Sequence, residues 1–117
     1  MKKLRVFEYA KCDSCRRALR FLDEKKVGYE KSDITLNPPS LGELKQMLSY
    51  QGEIRKLFNT SGIAYKELKL SEKLPKLSES EALSLLASNG RLVKRPFVLG
   101  NNFGLLGFRQ PEWEKVL

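Results

Sequence analysis

The sequence predicts an α/β domain with one small sheet and a helical segment inserted into it. Three observations carry that expectation. The chain has 117 residues, a length that suits one domain and lets it bury roughly two-thirds of its unfolded surface. Strand and helix patterns run in the order β-α-β, a helical middle, β-β, α. No long linker, internal repeat or low-complexity tract divides residues 1–117, so the helical middle, about residues 38–90, reads as an insertion packed on the same sheet.

The elements follow in order. Leu4-Arg5-Val6-Phe7-Glu8-Tyr9 alternates with an apolar bias and predicts a strand. Residues 13–26 predict a helix, because Cys15, Ala18, Leu19 and Leu22 recur on one helical face. Gly28 is expected to stop it as a left-handed cap. Tyr29 to Ile34 suits a second strand. Pro38-Pro39 breaks the chain. Ser40 to Tyr50 carries Leu41, Leu44 and Leu48 at helical spacing, and Ser40 with Glu43 forms a capping-box pattern. Glu53 to Phe58 and Ile63 to Leu68 predict short helices separated by the turn Asn59-Thr60-Ser61-Gly62. Ser78 to Ser88 predicts a further helix, with Ser78 and Glu81 as a second capping box and Asn89-Gly90 as its stop. Phe97-Val98-Leu99 and Phe103-Gly104-Leu105-Leu106 flank Gly100-Asn101-Asn102, a hairpin signal. Pro111 is expected at the first position of a closing helix that contains Trp113 and Val116.

Composition excludes several function classes. Histidine is absent, so no imidazole base and no histidine metal ligand exists. No apolar run approaches the roughly 18 residues of a membrane span. Met1-Lys2-Lys3-Leu4 does not open an apolar signal-peptide core. Lysine and arginine number 22 against 14 aspartates and glutamates, a formal charge of +8. That balance favours anionic partners, but the cations are dispersed among acids, which also fits a plain basic surface.

The chemistry is carried by the two cysteines, Cys12 and Cys15. A disulfide across so short a loop stabilises a fold weakly. Two thiols supply half of a four-ligand zinc site, and no other cysteine or histidine completes it, so no metal is expected. The pair falls where the first strand gives way to the first helix. Backbone N–H groups and the helix dipole favour negative charge at Cys12, and Lys11, Arg16 and Arg17 add positive charge while Asp13 opposes it. Cys15 shares its face with Ala18, Leu19 and Leu22, so it turns to the core while Cys12 stays exposed. That is the arrangement of an attacking thiolate and a resolving thiol. A later turn, Lys94-Arg95-Pro96-Phe97, opens the hairpin. A strand, a Cys-X-X-Cys helix start and a proline turn into a hairpin together match the thioredoxin fold. Pro96 then faces the cysteines, in a position where cis X-Pro bonds occur, and Arg95 places a cation over the site or lies at the surface.

Lys11-Cys12-Asp13-Ser14-Cys15-Arg16-Arg17, Asn59-Thr60-Ser61-Gly62, Lys94-Arg95-Pro96 and Gly107-Phe108 resemble, in order over nearly the whole chain, the ArsC/Spx family. The Asn59–Gly62 segment is most similar to its Spx-related, uncharacterised branch. The resemblance implies a thioredoxin-like (glutaredoxin-like) mixed four-stranded sheet with flanking helices and an inserted helical subdomain. In the arsenate reductases of the family a cysteine and three arginines act on arsenate. Cys12 and Arg95 match the cysteine and one arginine. Ser61 stands at the second arginine position, and near Leu106-Gly107-Phe108 the third is missing, with Arg109 displaced. Arginine forks are the usual means of holding such an anion, so arsenate reduction is not expected. The expected function is cytoplasmic thiol–disulfide exchange by Cys12 and Cys15. Lys11, Ser61, Arg95 and Pro96 form the substrate or anion site. No cofactor is expected beyond an external thiol reductant such as glutathione or a thioredoxin. The substrate would be a small-molecule or protein disulfide or thiol, the protein a monomer, and nucleic acid and membrane would not be bound directly. The alternative that the resemblance implies is an Spx-like redox-sensing transcriptional regulator that binds the RNA polymerase α subunit.

Overall fold

The structure, a computed structural model, describes residues 3–117. Met1 and Lys2, which open the N-terminal segment discussed above, lie outside the described residues.

Four strands, β1 (Leu4–Glu8), β2 (Tyr29–Asp33), β3 (Phe97–Leu99) and β4 (Gly104–Leu106), form one sheet in the order β2-β1-β3-β4. β1 and β2 run parallel and are joined by helix α1 (Asp13–Glu24). β3 is antiparallel to both β1 and β4. This is the mixed four-stranded sheet of a thioredoxin-like fold.

Strand alternation sorts the core into two layers. Leu4, Val6, Val98 and Leu105 pack with Ala18, Phe21 and Leu22 of α1 and with Trp113 of the last helix, α6 (Gln110–Val116). Phe7, Phe97 and Leu99 pack on the other layer with Leu44, Met47, Leu57 and Leu86. Phe7 and Phe97 are register partners, and their rings meet edge to face at 5.5 Å.

That second layer is the insertion. It comprises α2 (Leu41–Gln51), α3 (Ile63–Glu67), α4 (Leu70–Lys73) and α5 (Glu79–Ser88), with 3-10 turns at Ile54–Leu57, Leu74–Lys76 and Gly90–Leu92. Both capping boxes form as the sequence predicts. Ser40 and Ser78 accept from the N–H groups of Glu43 and Glu81, and each glutamate accepts from its serine's N–H in return. Arg5, the one exposed residue of β1, pairs with the same Glu43.

Four sequence expectations need correction. α1 ends at Glu24, and the left-handed residue after it is Lys26 (φ 59°), not Gly28. The turn closes early, through Lys26 N–H to Asp23 and Val27 N–H to Leu22, so Gly28 is left to receive the Leu4 N–H at 3.0 Å. On α2 the buried face is Leu44 and Met47, whereas Leu41 is 42% exposed. Directly after the Ser40 cap, Leu41 lies on the outer side of the first turn. The short helix expected over Glu53 to Phe58 is a single 3-10 turn spanning Ile54–Leu57 rather than an α-helix. Pro111 is the second residue of α6, because Arg109 is its N-cap and Gln110 its first. Asn89-Gly90 does end α5, with Asn89 as the C-cap, and Gly90 is needed there because a Cβ would collide with the Ile34 carbonyl oxygen.

Candidate functional site

Cys12 is the N-cap of α1, with extended φ and ψ of −92° and 118°. Its Sγ accepts a hydrogen bond from the Cys15 N–H at 3.4 Å. Its own N–H donates to the Tyr9 carbonyl at 3.0 Å, which fixes the turn between β1 and α1. The sulfur therefore takes up one of the backbone N–H groups that the first turn of a helix cannot satisfy itself.

The two thiols are free and unequal. Cys12 is half-buried, and Cys15 has no exposed surface. Burial pushes the Cys15 thiol up to about 12, the hydrogen bond to Cys12 adds to the rise, and a backbone hydrogen bond at Tyr9 opposes it. The charges of Cys12 and of the buried Glu8 act in the same upward direction as burial. Cys15 is thus held as the neutral thiol beneath Cys12 while Cys12 has access to solvent.

Cys12 opens into a cleft of about 430 Å³. Lys11, Ser61 and Arg95 line it with Cys12, so four of the six residues singled out from the sequence converge there. Cys15 and Pro96 do not line it, and both are buried. The Arg95–Pro96 peptide is cis, and the Pro96 carbonyl receives the Gly107 N–H at 3.0 Å. The Arg95 guanidinium lies 5.3 Å from the Tyr9 ring centroid and donates to the Arg91 carbonyl at 3.4 Å.

Sequence reasoning had put Arg16 and Arg17 among the cations acting on Cys12. Neither lines the cleft. Arg17 pairs with Asp13 at 3.2 Å and leans over the Phe108 ring at 5.8 Å. Lys94 and Arg109 take their place in the cleft lining. Tyr9 and Asn59 complete it and were not singled out either. Asn59 lies on the Asn59–Gly62 motif itself and Tyr9 at the end of the first strand pattern, and long-range contacts bring both to the cleft. Asn59 N–H donates to Leu92 at 2.7 Å and Lys94 N–H to Leu57 at 2.8 Å, which ties the Asn59–Gly62 turn to the Arg95 segment. Gly107 is required where it stands. Its φ is +70°, and a Cβ there would meet Lys94 Cε at 3.1 Å.

No three histidine, cysteine, aspartate or glutamate side chains converge on a metal-sized point among the described residues. No helix among them is long and apolar enough to cross a membrane.

Comparison with known proteins gives a consistent family. The ArsC family model matches residues 7–116. The uncharacterized protein YusI of Bacillus subtilis (strain 168) is 41% identical over 96% of this chain and 96% of its own. The global transcriptional regulator Spx of Streptococcus mutans is 29% identical over 92% of this chain and 77% of its own. The crystal structure of a possible arsenate reductase from Streptococcus mutans UA159 superposes with a TM-score of 0.90 at 39% identity, covering all of both chains.

Proposed function

The chain belongs to the ArsC family, and from that premise we propose that it is a thiol–disulfide oxidoreductase with Cys12 as nucleophile and Cys15 as resolving thiol. One observation carries the reading: a half-buried thiol caps a helix inside a cation-lined cleft, with a second, fully buried thiol one turn along.

The Cys12 thiolate attacks one sulfur of a substrate disulfide, and the other leaves as a thiolate with the bonding pair. Cys15 then gives up its proton and attacks Cys12 Sγ, and the second substrate thiolate leaves. The substrate gains two electrons, and Cys12 and Cys15 become a disulfide. An external thiol such as glutathione or a thioredoxin reduces it again. Arg95 and Lys11 offer positive charge and Ser61 a hydroxyl to an anionic substrate group in the cleft, and Pro96 shapes the turn that carries Arg95 there. Free thiols of this kind suit the reducing cytoplasm.

Arsenate is a poorer fit. Of the three arginines in the family pattern only Arg95 is matched, and Arg109 faces Glu112 at 3.7 Å. Each missing charge-assisted hydrogen bond costs roughly 1.5 to 3 kcal/mol, so two missing forks lower the rate at least about a hundredfold. Arsenate reduction with glutathione and glutaredoxin, or with thioredoxin, is expected near background.

Cys15→Ser is the direct test. With nothing left to displace the adduct, the variant should accumulate a mixed disulfide at Cys12, visible by mass spectrometry after exposure to a small disulfide. A reactive Cys12 that turns over normally in Cys15→Ser would refute the resolving role. A second reading, a redox-switched regulator that binds the RNA polymerase α subunit, is favoured by the likeness to Spx across most of the chain. Retention of α subunit by one redox form of the protein alone, in a pull-down, would support it.

A further inference from the structure

The Cys12 cleft continues on both sides. On one side it shares Lys94, Leu106 and Arg109 with a neighbouring cleft of about 380 Å³. On the other it shares Tyr9, Asn59, Ser61 and Arg95 with a cleft of about 490 Å³ that reaches Ile63, an apolar side chain 76% exposed. Three clefts thus lie in a row with Cys12 in the middle one.

The first arm is basic. Arg55 and Lys56 join Lys94 and Arg109 there, against Glu53 and Glu112. Glu112 is engaged by Arg109. Among the described residues neither Arg55 nor Lys94 has an acidic partner, and Lys56 Nζ reaches only the Gln51 carbonyl at 3.5 Å. Arg55 and Lys56 are exposed, so their charge is offered to whatever crosses the arm.

We infer that the substrate is an extended polypeptide whose disulfide sulfur sits at Cys12 and whose acidic side chains cross Arg55, Lys56 and Lys94. This rests on the thiol–disulfide reading above. A small molecule fills one cleft of this size, which leaves the two flanking clefts without use. An extended chain advances about 3.3 Å per residue and passes through all three in a few residues. Opposite charge on the arm selects the partner and speeds the encounter more than it tightens the complex.

The test uses three peptides of equal length. Each carries one cysteine as its mixed disulfide with thionitrobenzoate, flanked by aspartates, by serines or by lysines. The Cys12 sulfur bonds to the peptide sulfur, and thionitrobenzoate, the better leaving group, departs with the bonding pair and is read by its absorbance. Cys15 then displaces the peptide thiol, so one turnover needs no other reductant. The aspartate peptide should react about tenfold faster than the lysine peptide at low salt, and the gap should narrow as salt rises. Arg55→Glu with Lys56→Glu should erase or invert the preference and leave the rate with neutral hydroxyethyl disulfide unchanged.

Equal rates for the three peptides, or a preference that survives the charge reversal, would overturn the inference. So would an equal loss, on charge reversal, for the mixed disulfide of mercaptosuccinate, which would assign the arm to small dicarboxylates. Failure of the wild-type protein to react with hydroxyethyl disulfide at all would instead sink the thiol–disulfide reading, and this one with it.

Discussion

α1 starts on a thiol, whereas α2 and α5 start on serines. At Ser40 and Ser78 the hydroxyl accepts at 3.2 and 3.1 Å, and the glutamate three residues on returns a bond of 2.9 Å. At Cys12 a sulfur accepts at 3.4 Å, and nothing returns. Cysteine is not among the preferred N-caps, and a good cap is worth about 1 kcal/mol. α2 and α5 therefore carry their own start signals. α1 depends on packing: Ala18 and Leu22 are fully buried against the sheet. The difference teaches where the fold can give up local stability. α2 and α5 are buried against the sheet as well and carry a full cap besides; at α1 burial against the sheet stands in for the reciprocal cap, and its N-terminus is left for a reactive group.

The largest expected effect separates chemistry from stability at one atom. Cys12→Ser should drop thiol exchange to background. Its unfolding free energy should stay within about 1 kcal/mol of wild type, or rise, since serine is the better cap. Denaturant unfolding alongside an exchange assay checks both, and a strongly destabilised variant would break the comparison.

Next come the pH limits, which lie at opposite ends. The Cys15 thiol is raised to about 12 by burial, so the folded state holds its proton more tightly than the unfolded chain, where a free thiol titrates near about 8.5. Its contribution is complete below the unfolded value and is lost as pH rises toward the folded one. Glu81 is lowered, first by the backbone N–H of Ser78 and then by its hydroxyl. Its contribution is present above the ordinary carboxylate range and is lost as pH falls. Wild type should therefore lose more stability than Cys15→Ala in alkali, and more than Glu81→Gln in acid. Urea titrations across pH would show it, and parallel curves would contradict the assignment.

Smaller is the cap itself. Ser78→Ala should cost about 1 kcal/mol and leave the exchange rate with a small disulfide unchanged, because α5 does not border the Cys12 cleft. Smallest is Asp13→Asn. The Asp13–Arg17 pair is 83% and 52% exposed, so its loss should change stability by less than about 1 kcal/mol. Thermal unfolding of both variants ranks them.

What the sequence made legible was local. Strand alternation, the two Ser–Glu boxes and the position of Cys12 before α1 depend on neighbours within four residues, and those patterns carry their own physics. What it hid was tertiary. Leu41 is more apolar than Met47, yet its place at the outer side of the first turn of α2 leaves it exposed while Met47 is buried. Gly28 looked like the stop because glycine tolerates a positive φ, yet the turn closed two residues earlier at an exposed Lys26. In the cleft, Lys11, Ser61 and Arg95 sit on motif segments that the resemblance marked. Lys94 sits on the same motif segment as Arg95, and Arg109 stands displaced from an arginine position of the family; neither was expected in the site, and they reach the cleft because the Leu57–Lys94 and Pro96–Gly107 hydrogen bonds draw their segments together.

Trp113 gives the protein a built-in optical reporter. It is the single tryptophan of the chain. Its Nε1–H donates to the Gly107 carbonyl at 3.1 Å, and its ring meets Phe108 edge to face at 5.0 Å. Gly107 and Phe108 both line the Cys12 cleft. A molecule that settles there and shifts this segment alters the indole's hydrogen bond and its aromatic neighbour at once. Emission from one buried fluorophore should follow occupancy in real time, without a label and without consuming either thiol.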